Sequence, residues 1–130
     1  MTSRLALAQK IAQSALDLGA VQFSEDKPFK WASGFYMPVY NDNRLLLSDA
    51  SLRKTIVEAM QLLLKEQNIQ PNCIGGVPTA GLPWATSLAD AMELPLIYIR
   101  DKPKDHGMQK QIEGVIPENA EVVLVEDVIS

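Results

Sequence analysis

Two adjacent carboxylates, Glu126 and Asp127, directly follow the apolar run Val122-Val123-Leu124-Val125. Ligands of open α/β sheets bind at strand carboxyl ends. Neighbouring carboxylates there can accept hydrogen bonds from vicinal hydroxyls, as on a ribose, or approach a metal-bound ligand. The same pair suits a plainer role, with Asp127 capping a following helix and Glu126 solvated. A second element is Gly75-Gly76-Val77-Pro78-Thr79-Ala80-Gly81, whose glycines permit positive φ and a close approach of ligand to backbone. Its amides, around Thr79 and Ala80, could bind a phosphate, although a tight turn that needs small residues explains the pattern equally well. It is neither a Walker loop nor G-x-G-x-x-G. The third element, residues 100–114, is too polar for a core and too long for an ordinary connector. Arg100, Lys102, Lys104, Lys110 and His106 stand there among Asp101, Asp105 and Glu113. A closing lid that neutralises a pyrophosphate would use such cations, and a merely solvated face would carry them too.

These residues need elements to position them, and the apolar spacing supplies those elements. Leu5, Ala8, Ala12, Ala15 and Leu16 recur at helical intervals over residues 3–18, with Gly19 after them. Between residues 21 and 43, Pro28, Gly34 and Pro38 punctuate aromatic and β-branched residues, which predicts short strands and turns in a small irregular hood. Ser48, Asp49 and Ser51 offer helix-start chemistry before Leu52, Ile56, Ala59, Met60 and Leu63, so a second helix is expected to about Gln67. Residues 73–77 read as a strand, the glycine turn follows, and a helix is expected through Met92. Residues 96–100 and 122–125 are further apolar runs of strand length. Helices alternating with buried strands predict an α/β fold with a parallel sheet flanked by helices.

Length and charge narrow the function classes. A chain of 130 residues with 47% hydrophobic content predicts one domain over residues 1–130. The formal charge of -4 argues against a nucleic-acid-binding surface. Any anionic ligand must therefore be held by local groups. Lys10, Gln9, Gln13 and Asp17 interrupt any signal-peptide core, and no run reaches bilayer-spanning length. The lone Cys73 fits a reducing compartment, so a cytoplasmic location without membrane contact is expected.

Taken in order, the motifs resemble those of the orotate phosphoribosyltransferases, within the type I phosphoribosyltransferases. The resemblance is carried by Lys30-Trp31-Ala32-Ser33-Gly34 with Pro38-Val39-Tyr40-Asn41-Asp42-Asn43-Arg44, and by Gly76-Val77-Pro78-Thr79-Ala80-Gly81. It continues through Arg100 with Lys104-Asp105-His106-Gly107, Gln111-Ile112-Glu113-Gly114, and Val123-Leu124-Val125-Glu126-Asp127-Val128-Ile129-Ser130. Two departures stand out: Ala32 lies beside the Ser-Gly pair where relatives often carry a basic residue, and Asp101 follows Arg100 where some relatives are basic.

The resemblance implies transfer of phosphoribose from phosphoribosyl pyrophosphate to orotate, giving orotidine 5'-monophosphate and pyrophosphate in pyrimidine synthesis. It implies Mg²⁺ bound through the pyrophosphate, with no dedicated protein metal site. Arg100, Lys104 and His106 would act in catalysis on the pyrophosphate, with Lys102 ranked below Lys104. Thr79 and Ala80 would bind phosphoribosyl pyrophosphate, Glu126 and Asp127 would hold its ribose hydroxyls, and Ser130 and Tyr40 would contact orotate. A homodimer is implied, with the loop 100–114 reaching the neighbouring site. The family motif runs on past Ser130 into a threonine- and glycine-rich turn, so the fold is expected to be incomplete at its C-terminus and the 130-residue chain a poor catalyst. Two rivals compete: a non-catalytic nucleotide-binding or regulatory protein of the same fold, and a transferase acting on a purine base.

Overall fold

The computed structural model describes residues 2–103, 105 and 110–129. They fall into two compact units, residues 1–56 and 57–130, with one helix running through the boundary.

The first unit opens with α1 (Arg4–Asp17). The Ser3 side chain accepts a hydrogen bond from the Ala6 N–H at 3.2 Å, which satisfies one of the N–H groups a helix start leaves over. Gly19, at φ +74°, ends the helix in the left-handed conformation that costs glycine least. Leu7 and Ala15 form its buried stripe. The expected hood is two antiparallel ribbons. In one, β1 (Val21–Phe23) pairs with β4 (Val39–Asn41); in the other, β2 (Phe29–Lys30) pairs with β3 (Tyr36–Met37). The second ribbon is closed by Gly34 at φ +89°, whose N–H donates to the Trp31 carbonyl at 2.8 Å. The indole Nε1 of Trp31 donates to the Val39 carbonyl at 2.8 Å, tying the turn to β4. A 3-10 helix (Asn43–Ser48) follows, its Asp42 side chain accepting from the Arg44 N–H at 3.2 Å and from Arg44 Nε at 2.7 Å. The residue pattern of Asp42-Asn43-Arg44 is thus a local turn with its own ion pair.

Helix α2 (Ala50–Glu66) starts where the sequence predicts, with Asp49 Oδ1 accepting from the Leu52 N–H at 2.9 Å. In the second unit a four-stranded sheet runs in the order β7-β6-β5-β8, from β5 (Cys73–Gly76), β6 (Leu96–Ile99), β7 (Ile112–Glu113) and β8 (Val122–Val125). β5 is parallel to both β6 and β8, while β7 is antiparallel to β6. The expected parallel sheet is therefore mixed. Residues 111–114 extend the polar loop in the sequence, and a two-residue strand is too short to show alternation. Helix α3 (Gly81–Met92) joins β5 to β6 and packs Trp84, Ala85, Leu88 and Ala89 against the sheet. Cys73 and Ile74 are fully buried, as a central strand covered on both faces requires.

Asn72 fixes the register of β8 from below. Its Oδ1 accepts from the Glu121 N–H at 2.7 Å, and its Nδ2 donates to the Asn119 carbonyl at 3.2 Å. With Cys73 opposite Val122 and Gly76 opposite Val125, the carboxylates Glu126 and Asp127 emerge level with the glycine turn.

Candidate functional site

The carboxyl ends of β5, β6 and β8 bring three of the sequence elements together. After β5 the chain turns through residues 77–80 into α3. The Val77 N–H donates to the Val125 carbonyl at 3.0 Å, and the Gly81 N–H donates to the Val77 carbonyl at 3.0 Å. Gly81 lies so close to β8 that an added Cβ would stand 2.5 Å from the Val125 oxygen and 3.0 Å from Glu126 Cα. Its role is this close approach; positive φ is not involved. The Pro78–Thr79 peptide bond is cis. Ala80, at the α3 start, offers no side-chain cap. The Gly81 N–H is taken by Val77, the Leu82 N–H donates to the Thr79 carbonyl at 3.3 Å, and residue 83 is proline, so any amides offered to a phosphate are those of the turn itself, Thr79 and Ala80.

Pro78, Thr79, Tyr98, Arg100, Asp101, Lys102, Pro103 and Asp105 line an open cleft of about 470 Å³. A more apolar groove of about 680 Å³ lies beside Ile99, Ile112 and Val115, and another of about 420 Å³ lies near Pro71 and Leu94, at the amino ends of β5 and β6. Neither gathers the predicted chemistry. The cleft at the strand carboxyl ends does, and that is where this sheet type binds ligands.

Arg100 leaves β6 on a hairpin. Its N–H donates to the Gln111 carbonyl at 2.8 Å, and Gln111 Nε2 donates back to the Arg100 carbonyl at 3.0 Å. Of the residues 100–114 expected as a lid, 100 and 111 are thus paired and 112–113 belong to β7, while 104 and 106–109 lie outside the described residues. Arg100 Nη1 faces Glu113 Oε1 at 3.8 Å. The described cleft lining is charge-balanced, Arg100 and Lys102 against Asp101 and Asp105.

At the end of β8, Glu126 Oε1 accepts from the Asp127 N–H at 2.8 Å. A side-chain hydrogen bond with Asp127 holds the Glu126 carboxyl above its usual range. Burial and the charges of Asp127 and Asp101 add to this, while the Asp127 N–H opposes it. A cation or hydroxyl donor here would relieve that repulsion. Among the described residues no group of three or more His, Cys, Asp or Glu side chains could hold a metal ion. Glu126 and Asp127 fit an ion carried mainly by a substrate's oxygens, because Mg²⁺ accepts one or two carboxylates beside substrate and water.

The structure brings together Thr79, Ala80, Arg100, Lys102, Glu126 and Asp127 in the second unit. Tyr40 belongs to the first, with its ring 5.5 Å from that of Phe29. Lys104, His106 and Ser130 lie outside the described residues. Sequence reasoning missed Tyr98, which alternates with Arg100 on one face of β6 but reads as part of an apolar run. It also passed over Phe35 and Tyr36, exposed by 71% and 64% at the tip of the second ribbon and better presented for stacking than Tyr40 at 36%. Their exposure has no local sequence signal beyond the neighbouring Gly34. Among the described residues no helix is long and apolar enough to cross a membrane.

Comparison with known proteins agrees with the motifs. No protein-family model matches the chain. A Cytophaga hutchinsonii protein named orotate phosphoribosyltransferase is 47% identical over 122 residues, covering 94% of this chain and 58% of that protein. Proteins of the same name are 45% identical over 124 residues in Enterococcus faecalis, covering 95% of this chain and 59% of the relative, and 44% identical over 126 residues in Streptococcus thermophilus, covering 97% and 60%. The chain thus spans somewhat under two thirds of the length of these relatives. Among solved structures, orotate phosphoribosyltransferase from Aeropyrum pernix matches with TM-score 0.66 at 34% identity, over 88% of this chain and 62% of that one. Leishmania donovani UMP synthase matches with TM-score 0.70 at 27% identity, over 88% and 24%. The fold is that of the type I phosphoribosyltransferases, and the resemblance to orotate enzymes read from the motifs is borne out by these relatives.

Proposed function

We propose that this chain carries the chemistry of orotate phosphoribosyl transfer, its residues 1–130 working as one phosphoribosyltransferase domain. The observation that carries the reading is the convergence of the Thr79–Ala80 turn, Arg100 and Lys102, and Glu126–Asp127 at the carboxyl ends of three adjacent strands. In the reaction the bond between ribose C1 and pyrophosphate breaks with its electron pair leaving on the pyrophosphate. Orotate N1 makes the new bond and releases its proton, which yields orotidine 5'-monophosphate. Positive charge builds on C1 and negative charge on the leaving oxygens, so oriented charges do most of the work.

Arg100 and Lys102 would hold the leaving pyrophosphate beside the amides of Thr79 and Ala80, with Lys104 and His106 joining from the loop. Glu126 and Asp127 would accept hydrogen bonds from the ribose hydroxyls and fix the ring. A Mg²⁺ carried on the pyrophosphate would neutralise leaving-group charge when bound. Ser130 and Tyr40 are the proposed orotate contacts. A homodimer, in which the loop serves the neighbouring site, and a cytoplasmic location complete the reading. The regulator reading is not favoured, since relatives at 43–47% identity are named for the transferase. Adenine phosphoribosyltransferase from Leishmania donovani shares the fold at 14% identity with TM-score 0.55 and lends the purine reading no weight beyond fold.

The test is calorimetric titration of the 130-residue chain with phosphoribosyl pyrophosphate and Mg²⁺, followed by orotate with its absorbance monitored. Saturable binding that Arg100→Ala weakens supports the reading. A folded chain that binds no phosphoribosyl pyrophosphate overturns it.

A further inference from the structure

The β6–β7 hairpin places a carboxylate where the proposed leaving-group cation must pass. Tyr98 pairs directly with Glu113, and Ile99 with Ile112, so Glu113 and Tyr98 project from the same face of the sheet. Arg100, two residues beyond Tyr98, shares that face and lies diagonal to Glu113, within reach of a long side chain. Arg100 Nη1 stands 3.8 Å from Glu113 Oε1, close enough for an ion pair and too far for a hydrogen bond. The glutamate side chain is 20% exposed and the arginine 41%. The carboxylate is therefore the anchored partner and the guanidinium the one that can leave. The two hydrogen bonds between Arg100 and Gln111 fix the backbone, so release requires only side-chain rotation.

We propose that Glu113 is a positioning residue for Arg100, an ion-pair latch that docks the guanidinium on the hairpin until a polyphosphate in the cleft takes it. The inference rests on the reading of the cleft as a pyrophosphate site. An incoming diphosphate offers short charge-assisted hydrogen bonds in place of a longer Coulombic contact, so the exchange favours the ligand. Glu113 then competes with the ligand for the same cation. Neutralising it without changing its size strengthens ligand binding, and the gain passes entirely through Arg100.

Two measurements test the latch. The first is nitrogen NMR of the Arg100 side chain in the unliganded chain and in Glu113→Gln. A changed Nε–H shift and faster rotation about Nε–Cζ in the variant are expected. The second is calorimetry with inorganic pyrophosphate and Mg²⁺. Removal of a partly exposed ion-pair partner should tighten binding about two- to fivefold, and Glu113→Gln should have no effect in an Arg100→Ala background. Unchanged or weaker binding, or an equal gain without Arg100, overturns the latch. If the parent chain binds no pyrophosphate, the reading of the cleft fails by itself. The NMR comparison then decides the latch: altered Arg100 signals support it and unaltered ones sink it.

Discussion

Gly81→Ala should destabilise the second unit and disturb the site in one stroke. The new Cβ would stand 2.5 Å from the Val125 oxygen, 3.0 Å from Glu126 Cα and 3.3 Å from the Val125 carbonyl carbon. All three are backbone atoms, so no side chain can swing aside. Restoring a tolerable carbon–oxygen separation moves the end of β8 or the start of α3 by about half an ångström, in conflict with the Val77–Val125 hydrogen bond. Overpacking of this kind costs about 1–3 kcal/mol. Alanine is a better helix former than glycine by up to about 1 kcal/mol, less at a first helical position. The net expectation is a loss of about 1–2 kcal/mol, read as a lower urea midpoint at unchanged slope. Gly76→Ala is the milder comparison, because its nearest obstacle, Leu82 Cδ1 at 2.8 Å, is the end of a flexible side chain, and the less yielding Ala85 Cβ and Leu82 Cα stand farther off at 3.1 and 3.2 Å; a smaller loss is expected there. Because Glu126 moves with β8, Gly81→Ala should also weaken phosphoribosyl pyrophosphate binding in folded protein. A Gly81→Ala chain as stable as the parent would refute the close packing of the turn on β8.

Arg100→Ala should weaken pyrophosphate binding by about 10- to 100-fold, the loss of charge-assisted hydrogen bonds worth about 1.5–3 kcal/mol, measured by calorimetry. Asn72→Ala removes two side-chain hydrogen bonds that join β5 to the approach of β8. A loss of about 1–2 kcal/mol is expected in urea unfolding, with Asn72→Asp recovering part of it through the acceptor to Glu121. Asp42 is held below the usual carboxylate range by the side-chain hydrogen bond from Arg44, with the Arg44 N–H and charge adding and burial opposing. A depressed folded-state value means that its contribution is full above the ordinary aspartate range. It is lost as pH falls through the folded value. Arg44→Gln should flatten that acid limb in unfolding curves measured across pH, and a limb of unchanged steepness would rule out Asp42 as its source.

Much of the fold was legible in the sequence because its elements announce themselves locally. Ser3 and Asp49 are side-chain caps immediately before their helices, Gly19 ends α1, and the runs at Cys73 and Val122 are strand-length and apolar. Strand β7 was not legible. Its two residues, Ile112 and Glu113, become a strand only by pairing with β6. Partner-dependent structure leaves no periodicity of its own to read. The same holds at the site: Arg100, Lys102, Glu126 and Asp127 stand out by charge against apolar flanks, whereas Tyr98 merges with the aliphatic strand that carries it.

The cleft's charge balance explains why charge counting alone would miss it. Asp101 and Asp105 offset Arg100 and Lys102, and the whole chain is acidic. Attraction for the proposed diphosphate ligand would therefore have to come from direction. The turn of Thr79 and Ala80 presents its backbone from a fixed position against β8, and the two hydrogen bonds with Gln111 fix the backbone from which the Arg100 guanidinium swings. The cost of bringing a polyanion past Asp101, Glu126 and Asp127 falls when the ligand carries its own magnesium, since the ion presents positive charge to the same carboxylates that repel the naked anion. If the cleft takes a diphosphate as proposed, these acids would favour the metal-loaded ligand over the free one, and among the described residues no group of three or more His, Cys, Asp or Glu side chains competes for the ion.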